Sequence, residues 1–284
     1  MKQISKLAIV NIIINTFLAA IKLTIGLMFS SASILSDAFN SLGDIFTAVI
    51  IYVTIKINNT DADANHQFGH SRAESIAGYT IGILMVLLGV TLIRFCIEKI
   101  ITKEYGTYSV IMLSMIGISI TLKLILYFWT VHVLKTNNSP AMSAIAKDHL
   151  SDILVLCGVL IGVIGMYLGI SILDPIIGLV IAGIVFYNGI RICLTNISEL
   201  MGTNAPEELI LNITKHLEKN PAIVCIEKIK SQHLGNKYQV EIHMFTKKDL
   251  SITNTTALAR KMHSDLLETF PSIINATFIY HYKK

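Results

Sequence analysis

Charge is what this chain has least of. Asp, Glu, Lys and Arg make up 15% of its 284 residues, 53% are hydrophobic and the mean hydropathy is +0.63. A soluble domain carries about 25% charged residues, so a soluble globular protein is excluded and a membrane protein is indicated. The apolar residues fill the chain up to about Gly202, and the rest has soluble composition. Cysteine is scarce and unpatterned. Cys96, Cys157, Cys193 and Cys225 form no C-x-x-C pair, which excludes a disulfide framework and a zinc ribbon. They read as buried, inert thiols. Net charge is low, at +4, and the basic residues gather in certain connections. That bias reports membrane topology and not nucleic-acid binding. No small-x-small cleavage site follows the basic, then apolar, stretch from Met1 to Phe29. Its apolar part has full spanning length (~20 residues), so it is expected to be a first spanning helix and not a signal peptide.

Six spans are expected: Leu7 to Phe29, Ala32 to Ile57, Ile76 to Ile97, Tyr108 to Leu134, Pro140 to Gly169 and Asp174 to Thr195. Pro140 and Pro175 fit the first turns of their helices, where a missing N–H costs nothing. Lys2, Lys6, Lys56, Arg72, Lys135 and Lys147 flank one side of the membrane, and Lys99 and Lys103 the other. The positive-inside rule then puts both termini in the cytoplasm. After Pro206 the pattern becomes that of a soluble domain. Glu207 to Lys219 is an amphipathic helix opened by Asn204 and Pro206, and Ile223 to Gln232 and Tyr238 to Thr246 alternate as strands around Gly235-Asn236. Thr253 to Phe270 is a second helix and Ala276 to His281 a third strand. The expected organisation is a transmembrane domain over residues 1–202 and a small α+β, ferredoxin-like cytoplasmic domain over 203–284. The tail is short for an independent core, which favours a homodimer.

What stands out against the apolar background is polar. An ionisable residue inside a span is costly and marks a functional site by default. Asn40 and Asp44 are four residues apart on the second span, and Asp148 and Asp152 are four apart on the fifth. Each pair puts its oxygens on one helix face. Two such pairs could close around one cation, with hard oxygen donors suited to Mn²⁺, Mg²⁺ or Ca²⁺. Helix-to-helix hydrogen bonding is the competing role for a single Asn. Lys22 and Asp37 lie at similar depth and can neutralise each other, and Lys123 can pair with the fifth-span carboxylates when no metal is bound. His149 follows Asp148 and points about 100° away from it. It falls outside that donor set unless a His149–Asp152 pair makes the site softer. Asp61, Asp63, His66 and His70 lie before Arg72 and read either as metal ligands or as a solvated loop. In the tail, Glu227, His243 and His281 fall on three strands, where they could converge or be ordinary sheet residues.

Ser-Asp-Ala-Phe-Asn-Ser-Leu-Gly-Asp on the second span, Ala-Lys-Asp-His-Leu-Ser-Asp on the fifth and His-Gln-Phe-Gly-His-Ser-Arg-Ala-Glu between the second and third, with six spans and an α+β tail, resemble the cation diffusion facilitator family. The resemblance covers nearly the whole chain. It implies a homodimeric secondary transporter, not an enzyme, in the cytoplasmic membrane. Such a protein exports a divalent metal from the cytoplasm against protons by alternating access. The transport site would be Asn40, Asp44, Asp148 and Asp152. Zinc members usually carry His at the position of Asp148 or Asn40, so this chain looks like the bacterial manganese-exporting branch, with Mn²⁺ as cargo and no resident cofactor. Asp63, His66 and His70 match a loop site of zinc members. Arg72 stands where the family often has a Lys that pairs with an Asp, and Gly202 occupies that Asp position. His243 and His281 match tail ligands, Glu227 replaces a His, and Thr256 and Lys283 occupy other ligand positions, so the tail is expected to bind less metal. Competing readings are export of Zn²⁺, Fe²⁺ or Cd²⁺, a membrane metal sensor that does not transport, and an intramembrane aspartyl protease using Asp44 and Asp152.

Overall fold

The computed structural model describes residues 2–57, 70, 72–136, 140–234, 237–246 and 252–282. For 2–9, 47–57, 135–136, 140–144 and 282 only the backbone is described. Packing divides the chain into two units, Met1–Ile51 with Thr80–Cys193 and Tyr52–Tyr79 with Leu194–Lys284. Each is described by itself.

Six long helices come first: α1 (Lys2–Met28), α2 (Ala32–Ile57), α3 (Ala73–Thr102), α4 (Val110–Thr136), α5 (Pro140–Tyr167) and α6 (Leu173–Leu200). Among the described residues, stretches of α1, α3, α4, α5 and α6 are long and apolar enough to cross a bilayer. α2 carries Asp37 and Asp44, and its side chains are described only to Phe46. Several helices overrun their expected bounds by a turn or so, because backbone hydrogen bonding continues past the apolar stretch that identifies a span. Large apolar side chains such as Phe17, Leu87, Phe128 and Leu154 are exposed on the outside. That suits a helix whose solvent is lipid. Inside the first unit, Ile34, Met112, Met115, Ile116, Val159, Val163 and Ile181 form a core joining α2, α4, α5 and α6.

The start of α2 is tied to α6. Ser31 caps α2 by accepting the Ile34 N–H at 3.3 Å. The fully buried Asp174 carboxylate accepts the Ser31 hydroxyl (2.6 Å), the Ala32 N–H (2.7 Å), the Ser33 N–H (3.2 Å) and the Ser33 hydroxyl (2.6 Å). An anion at a helix N-terminus meets both its unpaired N–H groups and its dipole. Gly178, one turn further along α6, allows the approach: a Cβ there would lie 2.8 Å from the Ala32 carbonyl carbon.

The remaining elements are α7 (Glu207–Leu217), β1 (Ile223–Leu234), β2 (Lys237–Thr246), α8 (Ile252–Thr269) and β3 (Ile273–Tyr282). The sheet order is β1-β2-β3, with β1 antiparallel and β3 parallel to β2. Val240, Ile242 and Met244 alternate onto the helix-covered face and meet Ile213, Met262 and Leu266 in the core. α7 opens at Pro206 without a side-chain cap among the described residues, so Asn204 does not cap it; the Ser231 hydroxyl instead accepts the Ala205 N–H at 2.8 Å. β3 begins at Ile273, not Ala276, because pairing with β2 at Tyr238 and Gln239 carries it through Asn275. The Gly235-Asn236 turn lies outside the described residues.

Candidate metal centre

Asn40 and Asp44 on α2, and Asp148 and Asp152 on α5, belong to the same unit. Asn40 and Asp152 are half-buried, and Asp44 and Asp148 are exposed in the single chain. Asp44 interacts electrostatically with Asp152, Lys123, Asp148 and Lys22, and Asp37 with Lys22, Asp152 and Lys123. Six charged side chains from α1, α2, α4 and α5 therefore form one cluster.

Two ion pairs organise it. Lys22, 1% exposed, reaches Asp37 at 2.9 Å and donates to the Ser41 hydroxyl at 3.2 Å. Lys123, 2% exposed, holds the Asp152 carboxylate and also donates to Asn15 Oδ1 at 2.7 Å. Asn15 in turn donates to Asn11 Oδ1 at 3.1 Å. Formally, four carboxylates against two ammonium groups leave the cluster at −2. His149 stands apart from these hydrogen bonds. It is 1% exposed, and neither ring nitrogen has a hydrogen-bond partner among the described residues, so it does not pair with Asp152.

A second cluster lies in the tail. One ligand atom each from Glu227, His243 and His281 fall within 4.8 Å of one another. The His rings stack at 5.4 Å, with His243 Nδ1 3.1 Å from His281 Nε2, and Glu227 is 3.6 Å from His281. Glu241 lies 2.7 Å from His243 Nε2 and 2.9 Å from Lys230. A proton held between Nε2 and Glu241 leaves Nδ1 as the basic nitrogen. Lys230 first, and then His243, hold the Glu241 carboxyl below its usual value. Thr256 hydrogen-bonds within its own helix, to Ile252.

Of the remaining candidates, Asp61, Asp63, His66 and Lys283 lie outside the described residues. His70 is half-buried and Arg72 exposed. Gly202 has φ +90 at the end of α6, a conformation in which an Asp would be strained. Asn11, Asn15, Ser41, Asp174, Lys230 and Glu241 were not singled out from the sequence. The Asn pair carried a readable signal, two carboxamides four residues apart in an apolar helix.

Residues 8–201 match the cation efflux transmembrane domain. Among curated proteins, an uncharacterised transporter of Methanocaldococcus jannaschii is 32% identical over 267 residues, 93% of this chain and 90% of that one. The manganese efflux system protein MneP of Bacillus subtilis is 28% identical over 284 residues, 96% of this chain and 94% of that one. The magnetosome protein MamB of Paramagnetospirillum magneticum is 25% identical over 247 residues, 87% and 83% of the two chains.

Proposed function

This chain belongs to the cation efflux family of membrane transporters, and from that premise we propose that it exports Mn²⁺ from the cytoplasm in exchange for protons, binding the ion at Asn40, Asp44, Asp148 and Asp152. The observation that carries the reading is the gathering of four carboxylates and two ammonium groups from four helices in one cluster. With all four carboxylates ionised the formal charge is −2, and one divalent cation brings it to zero. Oxygen donors favour Mn²⁺ by type, although at most sites Zn²⁺ binds more tightly. Selectivity therefore comes from geometry, coordination number and ion availability. The likeness to a manganese efflux protein supports the same choice.

The ion enters from the cytoplasm through the exposed Asp44 and Asp148 and offsets the carboxylates. The spans then rock so that the site opens outward. Protons take the metal's place, and the neutralised carboxylates return at low charge cost. Lys123 pairs with Asp152, and in this reading it gives way to the ion. The reading includes a homodimer in the cytoplasmic membrane with both termini in the cytoplasm, an orientation supported by the bias of Lys and Arg.

The test is ion flux in proteoliposomes under an imposed pH gradient, with Mn²⁺ and Zn²⁺ side by side. Proton-coupled Mn²⁺ flux that vanishes in Asp44→Ala and Asp152→Ala is expected. Wild-type flux from Asp44→Ala would sink the site. Flux of Zn²⁺ without Mn²⁺ would leave the family standing and overturn the oxygen-donor argument.

A further inference from the structure

Asn15 is a part of the charged cluster that neither the four ligands nor the ion pairs require. It lies on α1, in the apolar stretch Val10–Met28. A carboxamide there must find its hydrogen bonds inside the protein. Its Nδ2 donates to Asn11 and its Oδ1 accepts from Lys123. The first bond orients the second: with the nitrogen engaged by Asn11, the carbonyl is the end that meets the ammonium. One buried cation thus has acceptors on two helices. Asp152 on α5 is charged and is a proposed ligand; Asn15 on α1 is neutral and remote from the ligand pairs in sequence.

We infer that Asn15, braced by Asn11, is the holding acceptor of Lys123 while metal is bound, and so a positioning residue that sets the affinity of the site. This rests on the reading of Asp152 as a ligand. A divalent cation arriving at Asp152 meets an ammonium already on that carboxylate. The two repel, which favours release of Asp152 by Lys123 as the ion binds. A buried ammonium left without a partner is strongly disfavoured. With Asn15, Lys123 turns on a bond it already makes. Before the ion arrives Asn15 is one of two acceptors; afterwards it is the remaining one among the described residues. Its removal therefore harms the metal-bound state more. Simple adhesion between helices, the ordinary role of a membrane Asn, carries no dependence on Lys123.

The experiment is calorimetric titration of Mn²⁺ and of Zn²⁺ into the full chain in lipid nanodiscs. It compares wild type, Asn15→Leu, Lys123→Met and the double variant, with Asp152→Ala alongside. Thermal unfolding checks that each is folded, and Lys123→Gln stands in if Lys123→Met is not. Asn15→Leu is expected to weaken binding about tenfold, the weight of one hydrogen bond to a charged group. Lys123→Met is expected to tighten it, and adding Asn15→Leu to Lys123→Met should change it by less than about twofold. Wild-type affinity in Asn15→Leu, or an undiminished loss in the Lys123→Met background, overturns the inference. Wild-type binding by Asp152→Ala overturns the ligand reading itself. Loss in Asp152→Ala with no change in Asn15→Leu overturns the role of Asn15 alone.

Discussion

Asp174→Ala removes the shared acceptor of four donors at a site with no access to water. Two of the donors are the Ser31 and Ser33 hydroxyls, 3.4 Å apart, which can turn toward each other. The other two are backbone N–H groups at the start of α2, where no carbonyl of the same helix is available. A buried donor left unpaired costs about 1–3 kcal/mol, so the pair costs about 2–6 kcal/mol. Losing an anion from the N-terminus of α2 adds up to about 2 kcal/mol. Asp174→Asn keeps one oxygen and should cost roughly half as much. The assay is thermal unfolding of the purified protein in detergent. At about 2–4 °C per kcal/mol, a total of about 2–8 kcal/mol means that Asp174→Ala is expected to lower Tm by roughly 4–32 °C, with Asp174→Asn in between. A midpoint for Asp174→Ala within about 2 °C of wild type would refute the reasoning.

Gly178→Leu should be harmful by a different route, since its Cβ would start 2.8 Å from the Ala32 carbonyl carbon. Overpacking of about 1–3 kcal/mol or more would appear in the same unfolding assay, and a wild-type midpoint would deny the contact. Asp148→His is expected to shift flux from Mn²⁺ toward Zn²⁺ by adding an imidazole; an unchanged metal profile counts against Asp148 as a ligand. Glu241 is held below its ordinary 4.5 by Lys230 first and then His243, so its contribution to stability is present above pH 4.5 and is lost as pH falls through the lower folded value. Lys230→Ala should move the Glu241 titration upward, as read by NMR of its side-chain carboxyl, and an unmoved titration would mean that the Lys230 contact does not persist in solution.

Much of this architecture could be read from local pattern. Apolar runs of spanning length located the long helices, and alternation located β1 and β2. Polar residues four apart on α2 and α5 singled out two helix faces, because helical period alone decides which residues share a face. What escaped were partners distant in sequence. Asp174 reads as ordinary first-turn acid until its contacts with residues 141–143 positions away are known. The Asn15–Lys123 bond spans 108 positions. Asn11 and Asn15 nevertheless carry the same i, i+4 signal on α1, without a carboxylate to mark it. Glu241 and His243 are two apart on one strand, and the period of a strand puts them on one face.

The knot at Asp174 ties down the first turn of α2 and so bears on the proposed transport cycle. At about 1.5 Å per residue, Asn40 lies about 12 Å and Asp44 about 18 Å along the helix from Ala32. A rod clamped at one end swings in proportion to distance from the clamp. A tilt of about 10° shifts Asn40 by about 2 Å and Asp44 by about 3 Å. Oxygen-to-metal distances are about 2.0–2.6 Å, so this small swing spans a full coordination bond. In the proposed transport cycle, leverage of this kind would let α2 open and close a coordination shell without breaking one of its own hydrogen bonds, with the amplitude set by how far along the rod the proposed ligands sit.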